Sequence, residues 1–473
     1  MGIAIRSERE ILEILLDAGL NVTPNALNEL KKRNPDEIQE IISRISSQHQ
    51  EVAVITLDLL APEVRREESF DKLEEVRCEV IFEARAERVE GKPEDFLRYM
   101  RSRFDKLASI LQRRIGHETP KIISVRRMRP RETVDIIGMV REKRSTRSGG
   151  CVLVLEDVSG TVPCFVDAKN RQLVSKLDRV VMDSVVWVRG SVTNNGGISV
   201  KNIILPDING RERRGTDVRI VFISDVHVGS KYFLEDSFLS FIEWLNSESG
   251  AKYLVLCGDL VDGVGIYPDQ EEELELRSLG EQFKKASELL SKISDNIEMI
   301  YIPGNHEPVR QAEPQPPIGG EFLEILKRSG RRIRTSTNPC MISVGGVKIL
   351  LYHGRSLNSI FKYVPGLQPV TPQTMVEAMR TLLQLRHLAP IYGEMPIAPE
   401  REDKLVIEEV PDVVCMGHVH VYGVGEHHGV KIINPGTFQD ETPYIEKMGI
   451  KVTPGTAVLM DLSNMKTELK RFS

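Results

Sequence analysis

The sequence predicts a multidomain chain in which a small N-terminal helical unit and a β-barrel precede an α/β domain. Three observations predict it. Apolar residues recur at helical spacing near the amino end and again after residue 93. Several short strand-like runs crowd into residues 120–210, and beyond 213 short Val/Ile/Leu runs alternate with helical stretches. The expected boundaries are 1–48 for a helical partner-docking domain and 49–92 for a charged linker. Residues 93–212 make a helix plus barrel, and 213–473 make the α/β domain.

Composition narrows the class. A chain of 473 residues is too long for one core. Hydrophobic content of 41% and charged content of 28% are those of an ordinary water-soluble protein. No apolar run approaches the roughly 20 residues of a membrane helix, and Met1 to Glu10 lacks the apolar core of a signal peptide. The six cysteines are widely spaced and sit mostly in strand-like runs, as buried free thiols in a reducing cytoplasm would. A net charge of −6 means that nucleic-acid binding needs local patches or metal ions.

In chain order, Ser7 with Glu10 forms a capping box ahead of Ile11, Leu12, Leu15 and Leu16. Thr23-Pro24 and Asn34-Pro35 each set a capping residue before a proline at the first helical position. Residues 63–75 alternate acids and bases within the linker, which has room for one or two partly ordered elements. From Pro93, the stripe Phe96, Leu97, Met100, Phe104, Leu107, Ile110 and Leu111 predicts a helix packed on a core. Val134–Val140, Cys151–Leu155, Val162–Val166, Val185–Val192 and Ile198–Leu205 read as barrel strands, for which the oligonucleotide-binding (OB) barrel is the leading candidate. Between the first two lies a basic loop, Arg141 to Arg147, which either touches a nucleic-acid backbone or is a solvated hairpin tip. Aromatic residues for base stacking are few here, Phe165 and Trp187, so the barrel serves protein contact equally well.

After a polar hinge at 210–215, helices are expected over Leu234–Leu245, Glu272–Ile293, Glu321–Lys327 and Thr374–Leu388. Between them, short apolar runs end in a glycine or a metal-type ligand. Val218 leads to Asp225-Val226-His227, and Val255 to Gly258-Asp259. Met299 leads to Gly304-Asn305-His306, Ile349 to His353-Gly354, and Val413 to Gly417-His418-Val419-His420. Loops converge beyond the carboxyl ends of such strands, so these residues should meet. Five of the ten histidines fall in the set, with two aspartates and an asparagine. Mixed nitrogen and oxygen donors suit manganese, iron or zinc, and the lack of cysteine argues against a closed structural zinc site. The donors suffice for two ions sharing one carboxylate, the clamp that phosphoryl chemistry uses.

The blocks D-x-H, G-D, G-N-H-E, H-G and G-H-x-H, present in that order, resemble the calcineurin-like dimetal phosphoesterase superfamily. That resemblance implies Asp225, His227 and His420 on one ion, Asp259 bridging, and Asn305, His353 and His418 on the other. It implies His306 as the catalytic histidine at the leaving oxygen and Asp262 as the residue that orients it. Gly263 stands where phosphoprotein phosphatases carry an arginine, which counts against that branch. Arg310 and Arg355, beside ligand motifs, are candidates for substrate phosphates or, equally, salt-bridged surface residues. His427 and His428 read as surface residues, and His387 as a helix-end residue.

A barrel followed by this domain is similar to the small subunits of replicative DNA polymerases. The stretches Gly304–Glu307 with Arg310–Pro316, and Arg386–Pro390 with Pro396–Pro399, resemble those of the archaeal family-D polymerase. The resemblance implies 3′-to-5′ exonucleolytic proofreading with two divalent ions, manganese first, iron or zinc as alternatives. It implies a large catalytic subunit and primer-template DNA as partners, and no membrane. Two rivals stand beside it: a dimetal repair nuclease or phosphodiesterase, and a non-catalytic scaffold. Lys466–Phe472 has the spacing of a sliding-clamp-binding peptide but lacks its glutamine and second aromatic; a last β-strand is the weightier expectation.

Overall fold

The computed structural model describes residues 76–210 and 215–472 throughout and, before them, residues 11, 12, 15, 21–31, 38, 41, 54 and 55. The chain divides into two units, Met1–Glu75 and Val76–Ser473. In the first, Pro24–Leu30 is a helix whose proline lies in its first turn, although Thr23 makes no side-chain cap bond. Ile11, Leu15, Ala26, Leu27, Leu30, Ile38 and Ile41 bury one another. Asn21–Val22 pairs in parallel with Val54–Ile55, so part of the expected linker belongs to this unit. The expected caps at Ser7/Glu10 and Asn34, the alternating charges over 63–75 and the hinge at 211–214 lie outside the described residues.

The second unit begins with β1 (Cys78–Glu83), α1 (Pro93–Ile115), β2 (Thr133–Ser145), β3 (Cys151–Asp157), β4 (Gly160–Val166), α2 (Arg171–Leu177), β5 (Val185–Val192) and β6 (Ile198–Ile204). It continues with β7 (Arg219–Ile223), α3 (Glu235–Ser247), β8 (Tyr253–Cys257), α4 (Leu279–Leu290), β9 (Glu298–Ile302), α5 (Gly320–Lys327), β10 (Ile333–Thr335), β11 (Cys340–Val344) and β12 (Val347–Leu351). Last come α6 (Leu357–Tyr363), α7 (Pro372–Leu385), β13 (Val413–Cys415), β14 (Gly423–His427), β15 (Val430–Asn434), α8 (Pro443–Lys447), β16 (Thr456–Asp461) and β17 (Lys466–Arg471).

Strands β2-β3-β4-β6-β5 close a barrel around Leu153, Leu155, Cys164, Val186, Val188 and Ile198. The expected basic loop is largely strand, because β2 stays paired with β3 as far as Ser145. Two of its cations have partners outside it: Lys143 Nζ donates to the Leu177 and Val180 carbonyls, and exposed Arg141 faces Glu156 at 3.5 Å. Helix α1 lays Leu107 and Leu111 against Ile137, Val185 and Trp187 of the barrel wall.

In this unit the strands outside the barrel divide between two sheets of six. Their orders are β10-β9-β8-β7-β16-β17 and β14-β15-β13-β12-β11-β1. Ile220, Phe222, Val255 and Ile300 of the first meet Ile342, Ile349, Val413 and Ile433 of the second in a shared core. The outer faces are covered by α3, α4 and α5 on one side and by α6 and α7 on the other. Strands buried on both faces explain the uninterrupted apolar runs. β1 lies within the expected linker, yet it pairs antiparallel with β11. Its glutamates at 79 and 83 interrupt the apolar pattern that marks inner strands, as suits an edge strand.

The expected helix at Glu272 starts only at Leu279, where Ser278 accepts the Glu281 N–H as a cap. Lys466–Arg471 is a strand, and the Phe472 ring packs 5.6 Å from those of Phe241 and Trp244, so the last-strand expectation holds over the clamp peptide. Among the described residues no helix is long and apolar enough to cross a membrane.

One buried polar cluster ties α1 to the sandwich. Arg103, fully buried, donates from Nε to Asp403 at 2.8 Å and from Nη1 to the Pro390 carbonyl at 2.7 Å. His387 is not a bare helix-end residue: it is buried and sits 2.9 Å from the same carboxylate. The Ala389 N–H donates to its Nδ1, which fixes a neutral ring with the proton on Nε2. Arg103→Met would leave Asp403 uncompensated in the interior, and urea titrations should register a loss of about 3–5 kcal/mol. The cluster also makes stability depend on pH. Burial and the Arg103 charge press the His387 pKa down from 6.5 to about 4. The unfolded chain therefore binds more protons between those values. Stability is full above pH 6.5 and falls as the pH drops toward 4, a slope that His387→Gln should flatten in urea midpoints.

Candidate metal centre

The parallel strands β7, β8 and β9 of one sheet and β12 and β13 of the other end at the same cleft. Backbone there is held in a costly form. Asp225, His227, Asp259, His418 and His420 all have φ between 52° and 72°, the left-handed region that non-glycine residues avoid. Such conformations persist only where surrounding structure dictates them, and they concentrate at functional sites. Glycine is required where the loops touch: a Cβ on Gly304 would lie 2.2 Å from Asp259 Oδ1, and one on Gly417 1.9 Å from Ser224 Oγ.

The side chains converge as two trios. Asp225, His227 and His420 offer donor atoms within 4.8 Å of one another, and so do Asp259, His353 and His418. The Nε2 atoms of His227 and His420 are 3.1 Å apart, and His420 Nε2 is 3.4 Å from Asp225 Oδ1. His353 Nε2 lies 3.1 Å from Asp259 Oδ2 and 3.0 Å from Asn305 Oδ1, which brings asparagine to the second trio. Asp259 Oδ2 is also 3.9 Å from His227 Nε2, so this carboxylate stands between the trios. All seven expected ligands are therefore at one place.

The donor chemistry fits divalent ions. Although burial raises carboxylate pKa values, His353 beside Asp259 holds it well below the usual range. His353 is driven the other way: burial opposes its charge, but Asp259 lifts it to about 10. Burial and the His353 charge push His418 down to about 3, and burial lowers His227. Anionic carboxylates and neutral imidazoles are the form that binds metal, and the His353 proton is the one a cation would displace. His420 Nδ1 is buried without a hydrogen-bond partner among the described residues.

Around the donors, hydrogen bonds fix two of the rings. His353 Nδ1 is 2.9 Å from the Cys257 carbonyl, and His227 Nδ1 is 2.9 Å from Asp262 Oδ1. This corrects the expected role of Asp262. Its carboxylate orients His227 and also accepts from Gln270 and Gln439, while only its main-chain carbonyl meets His306 Nδ1, at 2.5 Å. The reason is local geometry: the turn at Asp262-Gly263 points the carbonyl, not the side chain, at His306. With Nδ1 occupied, His306 keeps Nε2 free on a cavity of about 230 Å³ that His227, Asp259, Asn305, His418 and His420 also line.

The two candidate phosphate contacts fare differently. Arg310 is committed to the Ala312 and Pro314 carbonyls and to buried Glu400, so it braces a loop rather than facing the cavity. Arg355 lines the cavity and spends one nitrogen on the Gln311 carbonyl at 3.0 Å. His427 is only 10% exposed and pairs with Asp207 at 2.8 Å, away from this site.

Glu307, quoted in the G-N-H-E block without a role, is the residue the sequence undersold. Its carboxylate accepts the N–H groups of Asp259, Leu260 and Gly304 and the hydroxyl of Tyr301. It thus ties two ligand loops together. Its place immediately after His306 was the available signal. Glu307→Gln replaces one acceptor oxygen by a donor facing other donors, and metal affinity measured by calorimetry should fall about 10–100-fold. Asn358, whose Nδ2 is 2.9 Å from His418 Nε2, had no signal in the sequence at all.

The chain is similar to known proteins over most of its length. Residues 220–422 match the family model of the DNA polymerase alpha/epsilon B-subunit. The DNA polymerase II small subunit of Archaeoglobus fulgidus is 39% identical over 383 residues, 78% of this chain and 75% of its own. That of Methanothermobacter thermautotrophicus is 40% identical over 389 residues, 80% and 79% of the two chains. The Thermoplasma acidophilum counterpart is 31% identical over 465 residues, 96% and 91%. The chain accordingly belongs to the family of archaeal DNA polymerase II small subunits.

Proposed function

We propose that this small subunit carries the 3′-to-5′ exonuclease of its polymerase, hydrolysing the terminal phosphodiester of a frayed or mismatched primer end. The observation that carries the reading is the pair of buried donor trios around Asp259, opening on a cavity where His306 keeps one nitrogen free. Divalent ions bound there, manganese before iron or zinc, would supply Lewis acidity to a phosphodiester and to an attacking water. Asp225, His227 and His420 would hold one ion, and Asn305, His353 and His418 the other, with Asp259 between. His306, its Nδ1–H donated to the Asp262 carbonyl, directs Nε2 to the leaving 3′ oxygen and passes it a proton. Arg355 neutralises a non-bridging phosphate oxygen.

A small subunit implies a large catalytic partner, and the rest of the chain suits that second role. Residues 1–48 serve as a docking element, and the barrel, with few aromatic residues for base stacking, takes protein contacts. The reading is tested by purifying the chain alone and with its large subunit and supplying labelled mismatched primers with manganese, magnesium or zinc. Release of nucleoside monophosphates from the 3′ end supports it. A complex that assembles and cleaves nothing with any ion leaves only the scaffold.

A further inference from the structure

The wall of the cavity is not uniform. Beside the metal donors it is built from Ile266, Tyr267, Tyr444, Ile445 and Met448, a surface with little to offer a phosphate. Tyr267 stands edge-on to His306, ring centres 6.4 Å apart, and Tyr444 stacks on Tyr267 at 4.9 Å with the planes tilted by 21°. The tiers therefore step outward from the catalytic histidine. The inner ring is anchored, since Tyr267 Oη donates to Glu273 at 2.9 Å. The outer ring is carried by α8, whose start is fixed by buried Thr442 accepting the Ile445 N–H.

Tyr444 and Met448 are 46% and 50% exposed, and both lie at this one rim. Large apolar side chains gathered in the open beside a catalytic cavity have not been placed there for packing. Resting on the exonuclease reading above, we infer that this rim is a stacking ledge for the unpaired base of the 3′-terminal nucleotide. A phosphodiester centred on the donors puts that base one sugar away, beside the tyrosines. Aromatic and thioether surfaces take the flat face of any base, so the ledge accepts all four without reading sequence. It also requires a base whose face is free. A paired terminus keeps its face stacked in the duplex, and a mismatched one surrenders it at lower cost. The ledge thereby makes single-stranded 3′ ends the substrate class, and sets Tyr444 as a positioning residue.

The test uses the full chain assembled with its large subunit. A primer ending in unpaired 2-aminopurine, bound without divalent ions, should lose fluorescence on wild type and on Tyr444→Phe but not on Tyr444→Ala. With manganese, wild type should remove a natural unpaired terminus more efficiently than a 3′-abasic one, by about 5- to 100-fold in kcat/KM. In Tyr444→Ala that ratio should collapse toward one. An unquenched probe, a ratio near one in wild type, or an unchanged ratio in Tyr444→Ala overturns the ledge while leaving the exonuclease standing. If wild type removes neither terminus with any ion, the exonuclease reading fails, and the ledge with it.

Discussion

Asp259→Asn should cost the protein both its metal content and its cleavage. Asp259 is the carboxylate that approaches both trios, 3.1 Å from His353 Nε2 and 3.9 Å from His227 Nε2. It also accepts the His306 N–H at 2.9 Å, so it sets the backbone under that residue. An asparagine keeps the shape but removes the charge that binds cations and that lifts the His353 pKa. Two divalent ions bound here would stabilise developing charge by several kcal/mol, so their loss should lower nucleotide release by about 10³-fold or more. Elemental analysis after gel filtration should find fewer than two ions per chain. Retention of two ions with near-normal cleavage would mean that Asp259 does not bridge.

His306→Ala separates proton transfer from metal binding. The side chain lies on the cavity and is not among the seven donors, and its Nε2 is 3.9 Å from the nearest Asp259 oxygen. Metal content and assembly with the large subunit should therefore persist. Turnover on mismatched primers should fall by about 10²–10⁴-fold, the usual contribution of one positioned acid or base. A substrate whose leaving group needs no proton should recover most of the loss. Equal losses on both substrates would assign His306 to binding instead.

Much of this site was legible because metal chemistry constrains residue type and because parallel strands deliver their ends to one place. Asp225, His227, Asp259, Asn305, His353, His418 and His420 each follow an apolar run, and the structure gathers all of them. What the sequence hid was contact made by orientation. The Asp262 carboxylate turns to His227 and its carbonyl takes the expected place at His306, and no pattern of residue types encodes that. The sequence left Arg310 open between a phosphate contact and a salt bridge because Glu400, its partner, is ninety positions away. At the level of fold, the continuous apolar runs revealed burial on both faces but not which sheet each strand joins. β1 escaped notice for the opposite reason, its charges being those of an exposed edge. His387 read only as a helix end because its neutral, buried state depends on Asp403 and on Arg103, the latter remote in sequence.

The central claim is that two divalent ions sit between these loops. Anomalous diffraction from crystals grown with manganese tests it most directly. Two peaks are expected, one among Asp225, His227 and His420 and one among Asn305, His353 and His418, with Asp259 touching both. A single peak elsewhere, or none at saturating manganese, would contradict it.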